Sequence, residues 1–319
     1  MGTTLQVEHL TVQVATSGGA QTIVDDVSFR IEAGKVLALV GESGSGKSMT
    51  CTAIMRMLAD NARISKGRVL LEGDDLVGKM PREMQHIRSR KVGMVLQDAM
   101  GSLNPLFTIG SQLGEVIDGN RAAVRERAVQ LMKRVGISAP EDRLDAYPHQ
   151  LSGGMRQRIS IAINIARNPA LLIADEPTTA LDATVQLQIL SLLRRLQREN
   201  AMAMLLVTHD LGVVARFCDR VAIMYAGRIV EEGPVDGIFA SPMHPYTRAL
   251  IDAVPRLDAL PERLAVIAGQ APSFKDKLPG CSFAPRCPMV QDRCRQLAPP
   301  WTAAGERAAA CWLATQVVP

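Results

Sequence analysis

An eight-residue glycine-rich segment, residues 41–48, restricts the fold of this chain more than any other feature. It reads Gly-Glu-Ser-Gly-Ser-Gly-Lys-Ser and directly follows an apolar run at residues 36–40. Glycines at these spacings let successive backbone N–H groups turn toward phosphate oxygens, while the lysine reaches the outer phosphates and the last hydroxyl helps to hold Mg²⁺. Strand, loop and a helix-forming segment at residues 49–58 therefore predict a nucleoside triphosphate site. Its predicted contacts are Gly41, Ser43, Gly44, Ser45, Gly46, Lys47, Ser48 and Met49.

Two alternative interpretations of this segment are weaker. A glycine-rich turn that matches by chance is not expected to have a strand, a loop and a helix in the required order. A dinucleotide-binding turn needs the spacing Gly-x-Gly-x-x-Gly, and no such register can be placed over Gly44 and Gly46.

Length and composition leave room for a large core but indicate no membrane-spanning segment. The chain has 319 residues, of which 47% are hydrophobic, yet apolar runs such as residues 201–207 fall far short of the roughly 18 residues that cross a bilayer. The N-terminus lacks the basic and apolar regions of a secretion signal, so export is not expected. The net charge of +4, from 36 Lys and Arg against 32 Asp and Glu, is too small to indicate a nucleic-acid partner.

The hydrophobic periodicity predicts an α/β protein with an antiparallel part near its N-terminus. Apolar and polar residues alternate at residues 10–14 and 27–31, as in antiparallel strands joined by a turn. From residue 36 onward, short apolar runs alternate with helical segments, which is typical of a largely parallel sheet. The expected strands of that sheet are residues 36–40, 92–96, 171–174, 204–207 and 221–224.

Changes in composition divide the chain near residue 240. Residues 98–168 have helical patterns and lack long strand-like runs, so we interpret them as a helical subdomain inserted into the α/β core. A tail rich in proline and cysteine then begins, marked by Pro242, Pro245, Pro255 and Pro261. The predicted domains are therefore residues 1–240 and residues 241–319.

Two acidic residues end another predicted strand. Residues 170–177 read Ala-Leu-Leu-Ile-Ala-Asp-Glu-Pro, and adjacent side chains at a strand end point in different directions. We therefore predict that Asp175 coordinates Mg²⁺ and that Glu176 polarises the water that attacks the γ-phosphate. Capping of the next helix by both acids is the alternative, and the upstream glycine-rich loop makes it weaker. His209 follows a further apolar strand and is predicted to contact the γ-phosphate.

Residues 151–158, Leu-Ser-Gly-Gly-Met-Arg-Gln-Arg, lie between the two phosphate motifs and open a helical segment. With them the sequence resembles the ATP-binding cassette (ABC) family, whose signature has glutamine where Met155 stands here. Gln97, the turn at residues 180–182 and His209 match further family elements in order. The resemblance implies a P-loop NTPase fold of the ABC type, with a parallel sheet core, an antiparallel β-subdomain and a helical subdomain. It also implies an ATPase that uses ATP and Mg²⁺.

The same resemblance implies a composite site in a head-to-tail dimer. In the ABC family, Ser152, Gly153 and Gly154 would bind the γ-phosphate of ATP held by the opposite subunit, and a helix N-terminus suits that anion. Gln97 would sense Mg²⁺ and the attacking water in the region that meets a separate permease. The expected catalytic residues are Glu176, His209 and Gln97, and the expected Mg²⁺ ligands are Ser48, Gln97 and Asp175.

The six cysteines fall into two groups. Cys51 and Cys218 are isolated in apolar or helical segments, as buried thiols usually are. The other four are concentrated in the tail: Cys281, Cys287, Cys294 and Cys311. In a reducing compartment such a concentration favours metal or cluster ligation over disulfides. The spacing leaves zinc and an iron–sulfur cluster equally open, with unligated thiols as a third interpretation.

The tail narrows the resemblance to one branch of the ABC family. Residues 244–250, His-Pro-Tyr-Thr-Arg-Ala-Leu, and residues 280–288, Gly-Cys-Ser-Phe-Ala-Pro-Arg-Cys-Pro, are similar to the C-terminal extension of the dipeptide and oligopeptide importer ATPases. Members with all four cysteines ligate a [4Fe–4S] cluster. The resemblance therefore assigns the four tail cysteines to such a cluster, in a structural or regulatory role.

This branch implies the ATP-hydrolysing subunit of a bacterial peptide importer, at the cytoplasmic face of the inner (plasma) membrane. The implied partners are a second, related ABC ATPase, two transmembrane permease subunits and a periplasmic or extracellular substrate-binding protein. Nickel, opines or sugars are alternative cargoes. A non-transport ABC ATPase that acts on DNA or ribosomes is a weaker alternative, because the chain shows neither a long coiled-coil insertion nor a second cassette.

One common ABC element is missing. ABC ATPases usually stack adenine on an aromatic side chain upstream of the glycine-rich loop, and Val14 occupies that place here. We therefore expect the adenine contact to depend on apolar packing.

Overall fold

The computed structural model describes residues 2–97, 99–179, 181–254, 267–274, 276 and 278–314. Some positions named above lie outside the described residues: Asp98 at the predicted start of the helical subdomain, Ala180 in the turn at residues 180–182, and the prolines at 255 and 261. Among the described helices, none has the length and apolar character that crossing a bilayer requires.

Strands and helices alternate along most of the chain. The strands are β1 Thr3–Thr16, β2 Gly19–Glu32, β3 Val36–Val40, β4 Ala62–Leu71, β5 Asp74–Asp75, β6 Val92–Val95, β7 Leu171–Asp175, β8 Ala203–Thr208, β9 Arg220–Tyr225, β10 Arg228–Pro234, β11 Trp301–Ala304 and β12 Arg307–Ala310. The helices are α1 Lys47–Ile54, α2 Pro81–Arg90, α3 Ala99–Ser102, α4 Ile109–Val116, α5 Arg121–Arg134, α6 Pro140–Arg143, α7 Gly153–Ile165, α8 Ala183–Glu199, α9 Leu211–Phe217, α10 Val235–Ala240, α11 Pro245–Asp252 and α12 Asp292–Gln296.

The chain forms two compact units, and the first consists of Met1–Leu5, Ile31–Lys35 and Gly78–Val207. In it β6 pairs in parallel with β7, and β7 pairs in parallel with β8. Every residue of β7 is buried, as expected for a parallel strand that is covered on both faces. Between β6 and β7, the described residues form helices α3 to α7 and no strand.

The second unit consists of Gln6–Arg30, Val36–Val77 and the chain from Thr208 onward. It contains the β1–β2 hairpin, which lies in a sheet of order β2-β1-β4-β5. It also contains β3, which pairs in parallel with β9, while β9, β10, β12 and β11 pair antiparallel in that order. The parallel pairs in both units, with helices between the strands, confirm the α/β fold that the periodicity predicts.

The side-chain pattern explains why each strand forms where it does. In β2, Val27, Phe29 and Ile31 are buried while the residues between them are exposed, which is the alternation of a sheet with one covered face. In β3, by contrast, all five residues are buried. The glycine-rich loop therefore starts from a strand that is fixed on both faces.

The described residues after 240 are built into the second unit. Strand β12 pairs with β10, with Glu232 opposite Ala308. Tyr246 and Phe283 belong to the same hydrophobic cluster as Val40 of β3 and Ile223 of β9. The C-terminal segment therefore shares a core with the strand that leads into the glycine-rich loop.

Candidate functional site

The glycine-rich loop connects β3 to α1, and its geometry requires glycine at two places. A Cβ atom at Gly41 would lie 2.1 Å from the carbonyl oxygen of Met224. Gly46 has a φ of 104° immediately before the helix, a conformation that residues with a Cβ rarely adopt. Ser45 is only 4% exposed, and its hydroxyl oxygen has no hydrogen-bond partner among the described residues. The loop thus combines a close backbone turn with a buried hydroxyl that a ligand oxygen would satisfy.

Backbone carbonyl groups of the glycine-rich loop fix the position of its lysine. Lys47 is 6% exposed, and its Nζ donates to the carbonyl oxygens of Gly41 at 2.8 Å and Glu42 at 2.9 Å. These contacts fix a buried cation beside the first turn of α1, where the helix dipole also favours an anion. Other predicted contacts of the loop are exposed to solvent: Ser43, Gly44 and Ser48.

The two predicted acids stand at the end of β7 in different environments. Asp175 is the last residue of the strand and is 6% exposed. Glu176 follows with a φ of 44°, which is unusual for a residue other than glycine and marks local backbone strain. Its carboxylate oxygen accepts hydrogen bonds from Gln97 Nε2 at 3.3 Å and from Thr179 Oγ1 at 3.0 Å. The structure thus brings Gln97 and Glu176 together, as the predicted catalytic roles require.

The Leu-Ser-Gly-Gly segment opens α7. Ser152 is the N-cap residue, and its Oγ accepts the backbone N–H of Met155 at 3.3 Å. A Cβ atom at Gly154 would lie 2.8 Å from Cγ1 of Val185 in α8, so this glycine allows the two helices to approach closely. Because the Ser152 hydroxyl accepts this bond through a lone pair, its own proton is still free to donate to a ligand.

Two further predicted positions, His209 and Val14, belong to the second unit. His209 directly follows β8 and is exposed, while Asp210 caps α9 by accepting the N–H groups of Gly212 and Val213. Val14 is half-buried in β1. The site residues are therefore divided: the loop, His209 and Val14 belong to the second unit, whereas Gln97, Asp175, Glu176 and the Ser152–Gly154 turn belong to the first.

The four tail cysteines line one small cavity of the second unit. Its walls contain Cys281, Cys287, Cys294 and Cys311, together with His244 and apolar side chains. All four are free thiols. Burial raises the pKa of the Cys281 thiol to about 11, and the charges of the other three cysteines act in the same direction. A thiolate at this position therefore needs a cation or cluster iron beside it.

The same cavity shows no arrangement for a single metal ion. Across the described ranges, no group of three or more His, Cys, Asp or Glu side chains could hold one. The four cysteines therefore share the lining of one cavity but are not grouped as ligands of one ion.

Sequence reasoning missed a buried carboxylate that holds the His-Pro-Tyr segment. Glu231 is fully buried and accepts the backbone N–H groups of Met243 at 2.7 Å and His244 at 2.8 Å. Burial raises the pKa of Glu231, although these two donors act in the opposite direction. His244 caps α11, because its Nδ1 accepts the N–H of Tyr246 at 3.0 Å. Two adjacent glutamates within the apolar pattern of β10 were the available signal.

Strand β3, the glycine-rich loop, the buried Lys47 and helix α1 define this chain as a P-loop nucleoside triphosphatase. The acidic pair at the end of β7, Asp175 and Glu176, is consistent with that class.

Comparison with known proteins identifies the family. The ABC transporter family matches residues 24–179, and the C-terminal region of oligopeptide/dipeptide transporters matches residues 230–294. The oligopeptide transport ATP-binding protein OppD of Haemophilus influenzae is 44% identical over 99% of this chain and 99% of its own length. The dipeptide transport ATP-binding protein DppD of Escherichia coli is 45% identical, over 91% of this chain and 90% of its own length.

A solved structure agrees with these relatives. The ATP-binding cassette MJ0796, determined as a dimer in a post-hydrolysis state with ADP and Pi, superposes with a TM-score of 0.65 at 27% identity and covers 72% of this chain and 98% of its own length. The chain belongs to the ABC transporter family, as an ATPase of the oligopeptide and dipeptide importer branch. The resemblance that the motifs imply is thereby confirmed at the level of this branch.

Proposed function

We propose that this ATPase drives the import of dipeptides or oligopeptides through separate permease subunits. The match of residues 230–294 to the C-terminal region of oligopeptide/dipeptide transporters carries this cargo assignment. Relatives that are named for the same two cargoes support it. In this proposal residues 1–240 are the nucleotide-binding cassette and residues 241–319 are the extension of the peptide branch.

The glycine-rich loop would bind the phosphates of ATP. The residues proposed to do so are Gly41, Ser43, Gly44, Ser45, Gly46, Lys47, Ser48 and Met49. Support comes from the buried Lys47 ammonium, the orphaned Ser45 hydroxyl and the positive end of α1. Adenine would pack on apolar side chains near Val14.

Mg²⁺ would be held by Ser48, Gln97 and Asp175. A hydroxyl, an amide oxygen and a carboxylate are the hard oxygen ligands that this ion prefers, so the residues present fit it. When bound, Mg²⁺ supplies positive charge to the phosphate oxygens. Glu176 would take the proton of the attacking water, and His209 would contact the γ-phosphate. The bonds from Gln97 and Thr179 support this role, because they aim the Glu176 carboxylate.

The working form would be a head-to-tail pair of ATPases. Ser152, Gly153 and Gly154 would donate to the γ-phosphate that the other subunit holds, and support comes from their position at the start of α7. The second ATPase would be a related, different chain. Two permease subunits and a periplasmic or extracellular substrate-binding protein would complete the importer, with this chain at the cytoplasmic face of the inner (plasma) membrane.

The tail cysteines would ligate a [4Fe–4S] cluster. Their shared cavity supports ligation, because cysteine thiolates are the ligands that hold iron–sulfur clusters. When bound, the cluster would supply a fixed cross-link among the four segments that carry Cys281, Cys287, Cys294 and Cys311.

Iron and acid-labile sulfide in anaerobically purified protein test the cluster. We expect both in the parent chain and in Cys218→Ser, whose thiol lies outside the cavity, and we expect Cys287→Ser to lose them. Stoichiometric zinc without iron, in cells grown with ample iron, would overturn the assignment.

Uptake of labelled peptides by cells that make the complete importer tests the cargo. Lys47→Ala should abolish uptake, whereas Lys66→Ala, which removes an exposed lysine of β4, should leave it intact. The cells could instead take up nickel, an opine or a sugar in a Lys47-dependent way and take up no peptide. That result would overturn the peptide assignment but not the assignment of the chain as an ATPase.

A further inference from the structure

We propose that Arg286 in the C-terminal extension is a positioning residue for the ATP-binding loop and acts on it through Glu42. Arg286 directly precedes Cys287 in the chain. Its Nη1 lies 2.9 Å from Oε2 of Glu42, the second residue of the glycine-rich loop. The extension is thereby tied to the loop that binds phosphate, across 244 positions of sequence.

The ion pair is partly shielded from solvent, and further hydrogen bonds fix the position of the Arg286 guanidinium. The Arg286 side chain is 5% exposed and that of Glu42 is 29% exposed, so solvent screens the pair only partly. The guanidinium is fixed on its other sides, because Nε donates to the carbonyl of Ala268 at 3.0 Å and Nη2 donates to that of Ile267 at 3.2 Å. Nη1 also donates to the Tyr225 hydroxyl at 3.3 Å. With several donors engaged, Arg286 has little freedom to follow a displaced Glu42.

The C-terminal extension also contacts the backbone of Glu42. Its N–H donates to the hydroxyl of Tyr246 at 3.1 Å. The rings of Tyr246, Tyr225 and Phe283 pack against one another, with centroid separations of 4.5 to 5.3 Å. Side chain and backbone of Glu42 are therefore both anchored in the same aromatic cluster.

Glu42 in turn contacts Lys47, the lysine of the proposed ATP site. The Glu42 carbonyl oxygen accepts from Lys47 Nζ at 2.9 Å, so a shift of Glu42 moves an oxygen that aims this ammonium. Electrostatic stabilisation of phosphate depends on the distance and direction of the cation. Loss of the Arg286 contact should consequently weaken ATP binding, although Arg286 does not itself belong to the loop.

The affinity of the full chain for Mg-ATP tests this inference. Arg286→Gln should weaken binding by about fivefold to tenfold, the effect expected from part of one charge-assisted hydrogen bond. The matched control is Arg293→Gln, because Arg293 also directly precedes a tail cysteine, Cys294, but stacks over Trp312 at 5.1 Å. This control should bind ATP like the parent.

A double-mutant cycle separates positioning from general damage. If Arg286 acts through Glu42, Glu42→Gln alone should weaken ATP binding to a similar extent, and Arg286→Gln should have little further effect in that background. Iron content, measured on the same samples, should stay at the parent level, which distinguishes loss of the contact from loss of the cysteine site.

Independent, additive effects of the two substitutions would overturn the inference, and so would unchanged affinity in Arg286→Gln. If Arg286→Gln does not fold, the ATP affinity of Glu42→Gln tests the inference by itself, because this variant removes the same ion pair from the loop side. Parent-like ATP affinity in Glu42→Gln would then overturn the inference.

Discussion

At the scale of single residues, two of the predicted site positions, Glu176 and Gly41, have constrained backbone geometry. Glu176 adopts a positive φ at the end of a buried strand, and two side chains hold its carboxylate. Gly41 allows the loop to pass within contact distance of Met224. Strain and close approach of this kind persist only where the surrounding structure enforces them.

Replacement of Glu176 tests its role as general base. Glu176→Gln should still bind ATP, because the glycine-rich loop is unchanged, but it should hydrolyse ATP about 100-fold or more slowly. Phosphate release and ATP affinity are measured on the same preparation. Glu306→Gln, an exposed glutamate in the β11–β12 turn, is the control. Turnover of Glu176→Gln within a few-fold of the parent would remove Glu176 from this role.

His244 predicts a specific loss of stability in acid. Burial lowers the pKa of its imidazole from 6.5 to about 3. Between these two pH values the imidazole is therefore protonated in the unfolded chain and neutral in the folded chain. Acidification from pH 8 to pH 5 should therefore favour unfolding by about 2 kcal/mol through this group alone.

The variant His244→Asn isolates that contribution. Asparagine keeps an oxygen that can accept the N–H of Tyr246 but does not titrate. In urea unfolding, the difference in stability between parent and variant should shrink by about that amount between pH 8 and pH 5. Parallel stability profiles would show that the imidazole is not held neutral in the folded state.

At the scale of elements, the N-cap of α7 allows helix stability and the proposed role of Ser152 to be measured separately. Ser152 caps α7 through its Oγ, so Ser152→Ala should destabilise the chain by about 1 kcal/mol. Asn120→Ala removes an equivalent cap from α5, where Asn120 Oδ1 accepts the N–H of Ala123 at 3.0 Å. Both variants should lose similar stability, as measured by thermal unfolding.

Only Ser152→Ala should also lower phosphate release by the assembled ATPase pair, since we propose that its hydroxyl contacts the nucleotide of the opposite subunit. ATP affinity of the isolated chain should be unchanged in both variants. An equal fall in turnover for Asn120→Ala would mean that helix stability, and not the Ser152 hydroxyl, limits the reaction.

The elements that sequence could predict are those with a local signal. The sequence predicts strand β3 at its observed bounds, and the bounds that it predicts for β6 to β9 lie within one residue of the observed ones. Fixed motif spacings identified the glycine-rich loop and the start of α7 as well. Each of these features is complete within about ten consecutive residues.

The elements that sequence missed depend on distant partners. Strands β11 and β12 are short and rich in alanine, so they lack a β-pattern of their own and form by pairing with each other and with β10. The ion pair of Arg286 with Glu42 has no local signal at either end. The sequence also gives no signal that Tyr246 and Phe283 share a hydrophobic cluster with Val40, or that the Tyr246 hydroxyl accepts the N–H of Glu42.

At the scale of the whole molecule, the proposed working form is a composite ATPase. The chain carries a complete glycine-rich loop and also a Ser-Gly-Gly turn at the N-terminus of α7, which we propose as a second anion site. In that proposal one chain supplies both halves of a site that two chains would complete. ATP hydrolysis would then depend on assembly with a second ATPase and would respond to the permease.

The rate of phosphate release per chain, alone and in the assembled importer, tests this claim most directly. The isolated chain should bind ATP but turn it over slowly, because no opposing Ser-Gly-Gly turn reaches its γ-phosphate. Assembly with the companion ATPase and the permease subunits should raise the rate strongly, and Ser152→Ala should reduce that gain. Equal specific activity of the isolated chain and the complex would contradict the composite site.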